Sequence, residues 1–336
     1  MSAKPAISPD LLRIDAAGEA GRIVAGIREI VLGQLKRGGA VVGVSGGIES
    51  AVVAFLCARA LGTERVFALF TPETESSPDS LRLGRMVAQA LGVRSAVEDI
   101  TPILRAAQCY QRRDETLRRA VPEYGDGYEC RIIPPTVGAA LRSVLFSVVV
   151  EAPDGRANWV PLSAEDYFDV VAAANFKQRT RKMMEYYYAD LLQYAVAGTP
   201  DRLEYDQGFF VKNGDGAADV KPIAHLYKSQ VCQLAAHLGI PEEVRRQAVA
   251  DACPLEQSQP DSYLLLPLEK MDFCLYGKNN GISAADLGAA VELDTDQVQR
   301  VYDAIQAKRM AAQYLRAAPV LVEEVVEVQR ESHLSH

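Results

Sequence analysis

Continuous apolar runs alternating with stripes of helical period organise the first hundred residues. Ile23, Ile27, Ile30, Val31 and Leu35 share one face of a helix from about Ala20 to Lys36, which Gly38-Gly39 ends. Val41–Val44 is a short apolar strand; a helix from about Ser50 to Leu61 follows and stops at Gly62. Val66–Phe70 is apolar throughout, as expected of a strand covered on both faces of a parallel sheet. A helix over Asp79–Leu91 ends at Gly92, and Ser95–Ile100 reads as a third strand. This alternation predicts an α/β fold built on a doubly wound, mostly parallel sheet. Farther on, Ala195–Thr199 predicts a buried strand and Lys228–Leu238 a helix closed by Gly239. Leu268–Tyr276, Ser283–Val291 and Asp296 to about Leu315 form a helical C-terminal extension. The expected organisation is a loose arm over 1–18, one α/β domain over 19–318 and a tail over 319–336.

Composition narrows the function classes. The chain has 336 residues, is half apolar and a quarter charged, and carries a net charge of −8, which argues against nonspecific binding of nucleic acid. No apolar run approaches the length of a membrane span, and the N-terminal residues lack a signal-peptide apolar region, so a cytoplasmic protein is expected. Six cysteines form no Cys-x-x-Cys pair and four histidines no ligand spacing, so reduced thiols and no zinc site are expected.

The chemistry concentrates where the first strand ends, at Ser45-Gly46-Gly47-Ile48-Glu49-Ser50. Two glycines let the backbone turn sharply and present its N–H groups to an anion, and the following helix directs its positive end at the same point. Ser45 and Ser50 add hydroxyl donors. An acid beside a phosphate cradle repels the anion unless a divalent cation lies between them, so Glu49 reads as a Mg²⁺ ligand. A bare glycine turn without a ligand is the plainer alternative. The Gly-x-x-x-x-Gly-Lys-Ser/Thr and Gly-x-Gly-x-x-Gly patterns are both absent.

The turn resembles the pyrophosphate loop of the adenylating ATP pyrophosphatases, usually Ser-Gly-Gly-x-Asp-Ser, with Glu49 in place of the aspartate. Asn175-Phe176-Lys177-Gln178-Arg179-Thr180-Arg181, Gly198-Thr199-Pro200-Asp201-Arg202-Leu203-Glu204, and Gly208-Phe209-Phe210 with Gly214-Asp215-Gly216-Ala217-Ala218-Asp219 extend the likeness. With Leu226-Tyr227-Lys228-Ser229-Gln230-Val231 and Leu238-Gly239-Ile240-Pro241 they are similar, in order, to the motifs of the ammonia-dependent NAD synthetases.

The resemblance implies ATP and Mg²⁺ as cofactors, ammonia and a carboxylic acid (deamido-NAD⁺ foremost) as partners, and a homodimer. It also implies that the acid attacks the α-phosphorus of ATP, pyrophosphate leaves, and ammonia displaces AMP from the acyl adenylate. Ser45, Gly46, Gly47, Ser50, Thr199 and Lys228 would bind ATP and pyrophosphate, while Glu49 and Glu204 hold the metal. Asn175, Arg179, Asp219 and Asp251 would bind the acceptor, with Asp215 orienting ammonium and taking its proton. For Asp215 an aspartate capping a turn is the competing reading, and for Arg179 or Glu204 an ordinary surface charge. Lys228 opens a helix, where a cation opposes the dipole and a phosphate would relieve it. Arg179 and Arg181, two apart, face differently. The glycine- and charge-rich stretch from Tyr205 to Leu226 reads as a lid without strands. The stretch before Ser45 is too short for a fused amidase, which favours free ammonia or ammonia from a separate partner.

Departures gather on the acceptor side. Asp201 replaces the family's Asn, Val249 removes a hydroxyl, and Gln259–Leu266 loses two carboxylates and a glycine. A region from about 108 to 169 is longer than the family's and holds a predicted β-hairpin from Leu145 through Asp154-Gly155 to Val160. A relative amidating a different acid therefore stays open, as do a nucleic-acid-modifying enzyme and a catalytically inactive regulator.

Overall fold

The computed structural model describes residues 9–133, 146–251, 266 and 268–323. Its main sheet has the strands β1 (Ala40–Gly43), β2 (Val66–Phe70), β3 (Arg94–Val97) and β7 (Ala195–Ala197), all parallel in the order β3-β2-β1-β7. A second, antiparallel sheet joins β4 (Glu129–Ile133), β5 (Ser147–Glu151) and β6 (Ala157–Pro161).

Thirteen helices are described: α1 (Ala16–Arg28), α2 (Ile48–Leu61), α3 (Pro78–Leu91), α4 (Thr101–Ala106), α5 (Cys109–Ala120), α6 (Ala164–Leu192) and α7 (Arg202–Gln207), then α8 (Lys228–Leu238), α9 (Glu242–Asp251), α10 (Leu268–Asn279), α11 (Ala284–Val291), α12 (Thr295–Ala311) and α13 (Gln313–Arg316). Helix α1 runs on into a wider π turn over Glu29–Gln34, where the 3.6-residue apolar stripe continues.

Alternation along the strands sets two layers. Ala40 and Val42 of β1 face a core shared with Ile23 and Ile27 of α1, α2, and Val231 and Leu234 of α8. Val41, Phe67, Leu69 and Val196 face the opposite side, against Ala189 and Tyr188 of α6. The Phe67 and Tyr188 rings stack with centroids 4.8 Å apart. Each such fully buried side chain contributes about 1.5–3 kcal/mol, so the short strands are held by these two layers more than by their length.

The C-terminal helices form their own core from Leu275, Leu287, Val298 and Ile305, and Tyr227 at the start of α8 joins it. The arm expected to be loose is anchored from Leu12 onward: Leu12 packs into this C-terminal core, and the Ile14 amide donates to Gln233 Oε1 at 3.0 Å.

The long region before α6 contains the expected hairpin as β5–β6, together with a third strand, β4, that its sequence did not announce. The small sheet packs Val148 and Val150 on Leu117 of α5 and Val170 of α6. Asp251 closes α9, but its side chain and the Gln259–Leu265 departures lie outside the described residues.

Candidate active site

The chain leaves β1 for β2 and β3 on one side and returns to β1's other edge as β7. The crevice between the C-terminal ends of β1 and β7 is thus the switch point where open α/β sheets bind ligands. The turn after β1 and the loop after β7 both open onto it.

The first turn has the shape its sequence called for. Gly46 adopts φ +89°, and a Cβ there would lie 2.6 Å from the Ser80 carbonyl oxygen. The Gly47 amide donates to Ser45 Oγ at 3.2 Å, the Ser45 amide to Ser50 Oγ at 3.2 Å, and Ser50 Oγ to the Gly47 carbonyl at 2.9 Å. Gly47 begins α2 with no side chain capping it, leaving an anion that place.

Glu49, on the first turn of α2, forms an ion pair with Lys228 at the start of α8. The conflict between Lys228 and its helix dipole is therefore met by carboxylates: Glu49 on one side, and Asp272 of α10, whose Oδ2 accepts from the Ser229 amide at 2.8 Å. Asp272 is fully buried, and burial pushes its carboxyl up. No sequence signal marks it, because it caps α8 from another helix.

Beyond β7, Thr199 is half-buried and leads into α7, which Asp201 and Glu204 cap reciprocally. The Glu204 amide donates to Asp201 Oδ1 at 2.9 Å and the Asp201 amide to Glu204 Oε2 at 3.0 Å. Asp201 thus has a structural use as the N-cap of α7. Burial raises both carboxyls; Glu204 adds to the rise at Asp201, and Asp215 to that at Glu204.

The stretch read as a lid is docked on the body. It starts as α7, and Val220 bridges Ala197 beside β7. Asp215 Oδ1 accepts from the Val211 amide at 2.7 Å; burial pushes its carboxyl up, opposed by that hydrogen bond and by Lys182. Asp219 has both oxygens engaged, accepting from the Val196 amide at 2.7 Å and from the Tyr186 hydroxyl at 3.3 Å. These bonds give Asp219 a role in holding the loop to the sheet.

On α6, Asn175 is half-buried, and the two arginines diverge as their spacing required. Arg179 Nε donates to the Lys212 carbonyl at 3.1 Å, whereas Arg181 donates to the Thr71 carbonyl on the far side. Below them, Lys182 and Glu185 form a buried ion pair at 2.5 Å. The sequence reading passed over both, although their i, i+3 spacing inside the Asn-x-x-x-Arg-x-Arg helix was a signal.

A further network secures the β2–α3 loop. Buried Glu73 accepts from the Tyr110 hydroxyl at 2.5 Å and from Lys177 at 3.3 Å, and Arg113 grips Glu75 with two hydrogen bonds of 2.7 and 2.6 Å. Burial alone would raise the Glu75 carboxyl, but the bonds from Arg113 and Lys177 outweigh it and hold it at about 2.

An anion cradle, an ion-paired lysine and several buried carboxylates therefore converge at one sheet end. Glu49 and Glu204 offer hard oxygen donors, which suits Mg²⁺, an ion usually held by one or two carboxylates and by phosphate oxygens. Among the described residues no group of three or more metal-ligating side chains forms by itself.

The NAD synthase family model matches residues 20–121 and 157–314. The chain belongs to the NAD synthase family. Residues 122–156, which the family model leaves unmatched, lie inside the long region noted above and contain β4 and β5 of the small sheet, while β6 starts where the match resumes at residue 157. The chain is 53% identical over 323 residues to the NH(3)-dependent NAD(+) synthetase of Rhizobium meliloti (strain 1021), covering 96% of each chain. It is 52% identical to the protein of that name from Mesorhizobium japonicum, covering 94% of this chain and all of that one. The solved NH3-dependent NAD synthetase of Campylobacter jejuni shares the fold with a TM-score of 0.61 at 22% identity, covering 92% of this chain and 100% of the other. This NAD synthase chain has no helix, among the described residues, long and apolar enough to cross a membrane.

Proposed function

We propose that this chain converts deamido-NAD⁺ to NAD⁺ with ATP and ammonia, releasing AMP and pyrophosphate through an acyl adenylate. The observation that carries the reading is the uncapped Ser45–Ser50 turn at the sheet's switch point, with Glu49 and Lys228 paired beside it. The likeness along 96% of an NH(3)-dependent NAD(+) synthetase supports the choice of acid and nitrogen source.

The amides of Gly46 and Gly47 and the hydroxyls of Ser45 and Ser50 bind the β- and γ-phosphates, leaving the α-phosphorus to the acceptor carboxylate. Lys228 leaves Glu49 for the phosphates and offsets charge on the departing pyrophosphate. Glu49 and Glu204 hold Mg²⁺, which when bound neutralises phosphate charge. Asn175 and Arg179 on α6 flank the acceptor, with Asp219 bracing the loop; Asp251 is a further acceptor-binding residue in this reading. Asp215 then orients ammonia: its nitrogen attacks the acyl carbon, the bond to AMP breaks, and Asp215 accepts the proton.

An exposed stripe at helical spacing on α6, formed by Met183, Tyr187 and Leu191, fits pairing with a second copy of the chain.

Exchange of labelled pyrophosphate into ATP, measured with Mg²⁺ and deamido-NAD⁺ but no ammonia, tests the reading. Exchange that requires the acid, followed by NAD⁺ formation on adding ammonium, is the expected result. Exchange and amide formation on another carboxylic acid, but none on deamido-NAD⁺, would move the same chemistry to a different acceptor. Release of ADP and phosphate would overturn it.

A further inference from the structure

We propose that Lys182, held in place by Glu185, is a positioning residue for Asp215 and governs the ammonia half of the reaction. The proposal rests on the reading of Asp215 as the group that handles ammonia.

Two buried charges are a poor way to fill a core. Their mutual attraction rarely outweighs the loss of hydration, and two apolar side chains of similar volume would pack as well or better. Lys182 and Glu185 nonetheless sit on α6 with exposures of 5% and 8% and an Nζ–Oε2 separation of 2.5 Å. A pair that packing does not require calls for another use.

Placement supplies one. Glu185 reaches over the last residue of β1: a Cβ on Gly43 would lie 2.6 Å from Glu185 Oε1, so the missing side chain makes room for the carboxylate. That point is two residues before Ser45. From the other direction the Val211–Gly216 loop is laid onto the same helix. Arg179 Nε holds the Lys212 carbonyl at 3.1 Å, and a Cβ on Gly214 would lie 3.1 Å from the Gln178 Cβ. Gln178, Lys182 and Glu185 follow at i, i+4 and i+7, one face of α6. Asp215, next to Gly214, is thereby set beside Lys182.

The surrounding charges make Lys182 consequential. Glu204 of α7 and Glu185 are the acids near Asp215; Arg181 of α6 is turned away to Thr71 and Glu73, and Lys221, over the rings of Tyr205 and Phe210, is a second cation within reach of Asp215's charge. Lys182 is the cation among the leading influences on Asp215, and its field, with that of Lys221 beside it, favours an ionised Asp215. Glu185 fixes the ammonium group from the sheet side, so Lys182 links the base of the phosphate turn to the acid that must take a proton from ammonia.

The test compares the double variant K182M/E185L with the native enzyme and with D215N. The double variant removes both buried charges and is expected to keep or raise its thermal midpoint. Deamido-NAD⁺-dependent pyrophosphate exchange without ammonia should stay within about threefold of native, while kcat/KM for ammonium falls by about 10- to 1000-fold, the range one opposite charge imposes on a nearby carboxylate. The single variant K182M, which strands Glu185, should lose stability as well. An unchanged ammonium kcat/KM in K182M/E185L, with D215N impaired, would make the pair structural and overturn the proposal alone. Loss of exchange in a folded double variant would also overturn it, by assigning Lys182 to the adenylating half. Native-like use of ammonium by D215N would instead refute the underlying role of Asp215, and the proposal with it.

Discussion

Replacing Gly46 by alanine separates two costs that the structure makes distinct. The first is backbone: a side chain at φ +89° is strained, by about 1–2 kcal/mol. The second is space: the new Cβ would stand 2.6 Å from the Ser80 carbonyl oxygen, a backbone atom of α3 that cannot swing aside. Overpacking of that kind costs about 1–3 kcal/mol. Gly92 provides the control, because its φ is +67° and nothing lies within 4 Å of its would-be Cβ. G92A should therefore lose only the first cost, about 1–2 kcal/mol, and retain pyrophosphate exchange. G46A should lose both, about 2–5 kcal/mol, or a midpoint lower by about 3–7 °C. Relieving the clash displaces the turn by a fraction of an ångström to an ångström, and misplacement on that scale costs about 100-fold in rate. Thermal unfolding and deamido-NAD⁺-dependent exchange on both variants measure this directly. Equal midpoints for the two variants, or native-like exchange by G46A, would refute the reasoning.

Three further outcomes follow from the described geometry. E49D should keep Mg²⁺-dependent exchange, because the carboxylate survives, whereas E49A should lose about 100- to 1000-fold; equal loss in both variants would remove the metal role. The Glu75 carboxyl stays ionised down to about 2 in the folded protein against 4.5 for the free group. Its contribution is therefore present above 4.5 and lost as pH falls toward 2. E75Q should be less stable than native by about 1 kcal/mol at neutral pH, allowing for solvent screening, and the gap should close under acid; urea unfolding at several pH values checks it, and a gap independent of pH would contradict it. Charging the exposed α6 stripe with M183E/Y187E should yield a folded monomer by light scattering if that face joins two copies, and an unchanged mass would exclude it.

The fold was legible where period and punctuation agreed. Val66–Phe70 and Lys228–Leu238 match their predicted bounds, and Gly62, Gly92 and Gly239 terminate helices as their conformational freedom suggested. β4 escaped notice because Glu129–Ile133 gains its strand character from pairing with β5, a tertiary contact that propensity does not carry. The phosphate turn was readable because glycine, serine and a following helix impose local geometry. The pairing of Glu49 with Lys228, the cap from Asp272, and the Lys182–Glu185 link join residues distant in the chain or look like ordinary helix charges. Asp219, read as facing the acceptor, has both oxygens bonded to Val196 and Tyr186, so a short-range motif was also serving the fold.

The account stands on the turn after β1 as the grip on ATP's terminal phosphates. A crystal structure with Mg²⁺ and a non-hydrolysable ATP analogue tests it most directly. The expected complex has the β- and γ-phosphate oxygens within hydrogen-bonding distance of the Gly46 and Gly47 amides and the Ser45 and Ser50 hydroxyls, with Lys228 moved from Glu49 to the phosphates. A triphosphate bound elsewhere, with Ser45 and Ser50 still bonded within the turn and Lys228 still on Glu49, would contradict it.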